Sequence, residues 1–240
     1  MLRASTLVRF AMSLWVCTPA LLPSTYEPTS SYSACEIAGW QVRVSARLEA
    51  APDLRKKVVE LLAAKLFDIG RVVPVKALER LKRVPIWLEL DDVRSPCACF
   101  HPSKDWLVQM GYNPEKAGTV EISNAQNFLS WSLDQPWMLL HELAHGYYFL
   151  ALAERHAEIT DSHAAAVKSG KYDSVLHFSG VRKRAYALEN PAEYFAELSE
   201  AYFGTNDFFP FVRAELKDHD PTGFALLERL WSSDGPSGGK

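Results

Sequence analysis

Three things are scarce in this 240-residue sequence. Charge of one sign is the first: 26 basic against 29 acidic residues leave a formal net charge of −3. That balance gives no electrostatic reason to expect a nucleic acid or an anionic membrane as partner. Apolar runs long enough to span a bilayer are the second. The stretch "FAMSLWVCTPALL" holds about 13 apolar-dominated residues, fewer than a transmembrane helix needs. Cysteine is the third, with four residues and no second Cys or His cluster at zinc-finger spacing. The Cys97-x-Cys99 pair on its own therefore reads as structural. There is no internal repeat either, which leaves a chain long enough for one large domain with a sizeable core.

What is present begins with a leader. Arg3 and Arg9 flank the start, an apolar core of signal-peptide length follows, and Thr18 and Ala20 supply small residues ahead of a cut. Residues 1–23 are thus expected to be a signal peptide, and the protein to be exported, periplasmic or extracellular, with no membrane span in the mature chain. The "STYEPTSSYS" stretch reads as a linker over 24–38. One domain is expected over 39–231 and a disordered tail over 232–240. Cleavage would leave Cys35, Cys97 and Cys99. A bridge between Cys97 and Cys99 would close a strained, tiny ring, so Cys35 with one of the two is the expected disulfide in an oxidising compartment.

Alternation from Gln41 to Leu48 predicts a strand with Val42, Val44, Ala46 and Leu48 on one face. Leu54, Val58, Leu61, Leu62, Leu66 and Ile69 predict a helix stopped at Gly70. After Pro74 a short helix turns Val75, Leu78 and Leu81 inward. "PIWLELDD" and "TVEIS" read as strands, with an irregular segment over 93–117 between them. Helices are expected from about Pro136, over 154–168 and over 191–203, with a short strand near "YDSVLHF" and more helix up to Trp231. This order predicts α+β architecture: a small sheet and a helix-rich second half.

The stretch "WMLLHELAHGYYFL" is an apolar helix interrupted by His141, Glu142 and His145. Residues four apart on a helix differ by about 40° in direction, so His141 and His145 face the same way and both imidazoles can reach one ion. A zinc ion there would activate water, and the adjacent Glu142 would act as general base. This is the H-E-x-x-H pattern of metallopeptidases. Of the other histidines, His156, His163, His177 and His219 read as surface or satisfied groups, while His101, beside Cys97 and Cys99, could face a cleft and is assigned no role; Trp131, Trp137, Tyr147 and Tyr148 read as core.

A catalytic zinc wants three protein ligands and one open position. A metzincin would have Gly at 148 and His at 151, where this chain has Tyr148 and Ala151. "GTND" at 204–207 resembles the aspzincin G-T-x-D and would make Asp207 the third ligand, but "FFPF" follows in place of the expected Tyr-Gly. In "YALENPAEYFAELSEAYF", Glu193, Glu197 and Glu200 share a helical face. Asn190, Pro191 and Glu193 also suit a simple capping box. Spacing alone does not choose between Glu193 and Glu197.

H-E-x-x-H followed by a downstream helical glutamate resembles the gluzincins. The Tyr-x6-Glu-Tyr-Phe-Ala-Glu run of residues 186–197 is similar to the catalytic domains of anthrax lethal factor-like metallopeptidases. The resemblance covers about residues 137–203. It implies a zincin-like fold, zinc held by His141, His145 and Glu193, Glu142 as base, and Tyr186 as oxyanion stabiliser or proton donor. Glu197 would then orient a histidine ligand. By analogy with such folds, "TVEIS" would be the sheet edge that pairs with a protein or peptide substrate. Two other readings fit the same residues: a non-enzymatic exported binding protein with structural or vestigial zinc, and a zinc amidase or deacetylase.

Overall fold

The computed structural model describes residues 26–92 and 94–232. The expected signal peptide and the tail beyond residue 232 lie outside them. Strands β1 (Tyr32–Ile37) and β2 (Trp40–Ser45) lead into helices α1 (Ala46–Glu49), α2 (Pro52–Val72) and α3 (Val75–Leu81). Next come β3 (Ile86–Leu88), β4 (Ala98–Phe100), α4 (Lys104–Gln109), β5 (Val120–Ile122), α5 (Ala125–Trp131) and α6 (Met138–Ala151). The second half holds α7 (His156–Ser169), the hairpin β6 (Val175–Leu176) and β7 (Arg182–Lys183), then α8 (Pro191–Phe203), α9 (Arg213–His219) and α10 (Pro221–Ser232). Over the described residues the architecture is α+β, with one small mixed five-stranded sheet, the two-stranded β6–β7 hairpin and about ten helices. Among the described residues no helix is long and apolar enough to cross a membrane.

The sheet runs β1-β2-β3-β5-β4, with β2, β3 and β5 parallel and both edge strands antiparallel to their neighbours. Val42, Val44, Ile86, Leu88, Val120 and Ile122 are buried in one core with Val58, Leu62 and Leu66 of α2 and Leu140 and Leu143 of α6. Each such side chain, fully buried, contributes roughly 1.5–3 kcal/mol. That core fixes α6 against the sheet. Gly146 permits the approach, because a Cβ there would lie 2.9 Å from Val84 Cγ2.

Several expectations change. The linker expected at 24–38 contains β1, whose residues are exposed or half-buried up to Ile37, as suits an edge strand. Leu48 is buried from α1 rather than from a strand, and α2 runs two residues past Gly70. Val75 at the start of α3 is exposed, while Ala77 and Leu81 face the core. The segment read as irregular holds β4 and α4, the latter capped by the Ser103 side chain. Helix α6 begins at Met138 without a side-chain cap.

Two corrections bear on chemistry. "TVEIS" is not an edge, because β4 covers the free side of β5. Cys35 cannot bridge to Cys97 or Cys99: β1 and β4 are opposite edges of the sheet, four strand spacings or about 19 Å apart, and a disulfide needs Cα atoms within about 7 Å. All three thiols are free.

Candidate metal centre

Helix α8 faces α6 across the cleft. Asn190 caps it, its side-chain oxygen accepting from the backbone N–H groups of Ala192 and Glu193 at 2.9 and 3.0 Å, with Pro191 as first helical residue. The cap leaves the Glu193 side chain free to face α6, and that is where it goes. His141 Nε2 lies 3.0 Å from Glu193 Oε2, His145 Nε2 lies 3.2 Å from the same oxygen, and the two Nε2 atoms are 3.1 Å apart.

A tetrahedral zinc with bonds of about 2.0–2.1 Å holds ligand atoms about 3.3 Å apart. The near-equilateral triangle fits that requirement, and its two imidazoles and one carboxylate are a zinc donor set. Burial alone disfavours charge on His141 and on Glu193. Their mutual hydrogen bonds win, holding the His141 pKa well above the usual histidine range and the Glu193 carboxyl well below the usual carboxylate range.

The other expected groups surround the triangle. Glu142 Oε2 accepts from the backbone N–H of Phe100 on β4 at 2.8 Å, which fixes the carboxylate beside the donors. Tyr186 donates to Glu193 Oε1 at 3.4 Å, and its ring lies along His141 with centroids 6.5 Å apart. It remains half exposed, so the hydroxyl faces open cleft.

Glu197 is not the carboxylate that orients His141. Glu200 Oε1 meets His141 Nδ1 at 2.8 Å, whereas Glu197 Oε1 stands at 3.7 Å and the other Glu197 oxygen accepts from Asn206 at 3.2 Å. Burial pushes both glutamates up, with the charge of Glu200 adding to the shift of Glu197 and the hydrogen bond to His141 opposing that of Glu200. His145 Nδ1 is buried with no partner, so the orienting carboxylate serves His141. Replacing Glu200 by Gln is expected to weaken zinc binding about 10–100-fold, as loss of such partners does, with Glu197→Gln changing it less. Competition titration against a chelator of known affinity measures both.

The cleft has a volume of about 520 Å³ and is walled by β4, α6, α8 and the 204–208 loop. Asp207 reaches its wall but not the triangle: its Oδ2 accepts from Gln135 at 2.9 Å and lies 3.8 Å from His177 Nε2. His177 and Trp131 also line the cleft, where they were expected to be a bland histidine and a core tryptophan; Trp131 is partly exposed there. No sequence signal pointed to Phe100, whose contribution is a backbone N–H. His156 is satisfied, as expected, stacking on Tyr148 and meeting its carbonyl at 2.8 Å. Burial pushes the Cys97 and Cys99 thiols up to about 12, so neither is a ready nucleophile at neutral pH.

No family model, no curated protein and no solved structure matches this chain.

Proposed function

We propose that this chain is an exported, zinc-dependent metallopeptidase with a zincin-like fold, akin to the gluzincins and to lethal factor-like catalytic domains. The observation that carries the reading is the meeting of three donor atoms from His141, His145 and Glu193 within 3.2 Å of one another, with Glu142 next on the same helix. Zinc held there would supply Lewis acidity, polarising a carbonyl and lowering the pKa of water.

The chain's own residues do the rest. Glu142, aimed by the Phe100 N–H, takes the proton of the attacking water and returns it to the leaving amine. The Tyr186 hydroxyl donates to the oxyanion that develops on the substrate carbonyl. Burial and the Glu193 carboxylate push its phenol up, so it stays protonated and able to donate. Strand β4 is the edge that lines the cleft, and an extended peptide would join its free side by strand addition at Ala98, beside the Phe100 N–H that holds Glu142. The basic-then-apolar start of the sequence supports export.

The test is a peptide-library digest with the purified full chain. Cleavage is expected, lost on chelation, restored by zinc and blocked by a hydroxamate. A folded, zinc-loaded protein that neither cleaves any member nor binds hydroxamate would contradict the reading.

A further inference from the structure

The opposite face of the sheet carries a second set of ligating side chains. Strand register places Arg43, Trp87, Glu121 and Cys99 in a row across β2, β3, β5 and β4. His101, just past the end of β4, turns back onto that row. Its Nε2 lies 3.6 Å from Cys99 Sγ and 2.7 Å from Glu121 Oε2, and its ring packs against Tyr112, tilted, and Trp106, stacked. The three donor atoms lie within 4.8 Å of one another.

Two of the three are deeply buried, His101 at 3% exposed and Glu121 at 0%, and Cys99 is half-buried. Lys116 reaches Glu121 Oε2 at 3.1 Å, but it also serves Glu89 at 2.7 Å, and Glu89 takes the Tyr32 hydroxyl at 2.6 Å. Glu121 Oε1 is left buried with no partner. An unpaired carboxylate oxygen at that depth costs more than an ordinary missing hydrogen bond, so a cation beside it has a reason to bind.

We propose that Cys99, His101 and Glu121 form a second metal site, separate from the cleft triangle, for a borderline divalent transition ion such as zinc. Bonds of about 2.3 Å to sulfur and 2.0–2.1 Å to nitrogen put the two atoms about 3.6 Å apart in a tetrahedron, which is their separation here. The His101–Glu121 pair opens from 2.7 Å to about 3.3 Å to admit the ion. On binding, the Cys99 S–H bond breaks and a sulfur–metal bond forms, the Nε2 hydrogen that His101 now gives Glu121 is lost as the ring takes its neutral Nδ1–H form, and one proton leaves to solvent. The dication, the thiolate, the carboxylates of Glu89 and Glu121 and the Lys116 ammonium then sum to zero charge, which suits a buried cluster. Ser123 Oγ, 3.8 Å from Cys99 Sγ, is the adjacent oxygen for a fourth position. The bound ion would cross-link β4 to β5 and so stiffen the strand whose Phe100 N–H holds Glu142.

Cobalt(II) titration of the full chain, followed by absorption spectroscopy, tests this. A thiolate ligand gives a sulfur-to-cobalt charge-transfer band in the near ultraviolet, and the cleft triangle contains no sulfur. The band is expected in the parent and in His145→Ala, Cys35→Ser and Cys97→Ser, and absent in Cys99→Ala and His101→Ala. Bound metal should fall from about two ions per chain to about one in the last two variants. If Cys99→Ala does not fold, as judged by circular dichroism, Glu121→Gln replaces it and should weaken the band's cobalt affinity at least about tenfold. No band in the folded, cobalt-saturated parent, a band lost with Cys35→Ser or Cys97→Ser instead, or unchanged affinity in Glu121→Gln would overturn the proposal.

Discussion

Replacing Glu142 by Gln is expected to lower peptide hydrolysis by about two to four orders of magnitude while leaving zinc content unchanged. The amide keeps the shape of the side chain, and its oxygen can still accept from the Phe100 N–H that now meets Glu142 Oε2 at 2.8 Å. What it loses is the basic oxygen that accepts a proton from the attacking water. In barrier height the loss corresponds to roughly 3–5 kcal/mol. Both kcat and kcat/KM should fall together, because the proton is transferred in the transition state and not in the bound ground state. Retained hydrolysis in this variant would remove Glu142 from the mechanism.

Replacing Tyr186 by Phe should cost about 10²–10³ in kcat, the loss that follows removal of one oxyanion donor. The ring can keep its place along His141, so zinc affinity and KM should move little. The split separates a hydroxyl that acts on the developing oxyanion from a ring that merely packs. A fall in zinc affinity with kcat preserved would instead mean that the hydroxyl matters through its 3.4 Å contact with Glu193 Oε1.

The sequence made local features legible. The two histidines, the carboxylate between them and the Asn190-Pro191 cap are all set by helical periodicity, which a short window of residues carries. Strand order is not local. β4 is three residues long and sits among Cys and Pro, so nothing in its pattern told that it would cover β5 and become the cleft edge. β1 was hidden for a related reason: an exposed edge strand has the polar composition of a linker.

The choice between Glu197 and Glu200 turns on helix phase. Four residues beyond Glu193 the direction has rotated by about 40°, whereas seven residues beyond it returns to within about 20°. Glu200 therefore lies nearer the plane of Glu193 and His141, and it is the carboxylate at 2.8 Å from Nδ1. The Cys99–His101–Glu121 group was out of reach for another reason, since a cysteine and a histidine two apart gain a third donor only once β5 is laid beside β4.

Zinc per molecule in the purified chain, measured by elemental analysis beside His145→Ala and Glu193→Ala, tests the central claim most directly. If the metal lost from the parent in each of the two variants is about one ion per chain, the cleft triangle is a zinc site with Glu193 as its third ligand. Zinc content equal to the parent's in folded Glu193→Ala, or no zinc in the folded parent after supplementation, would contradict it.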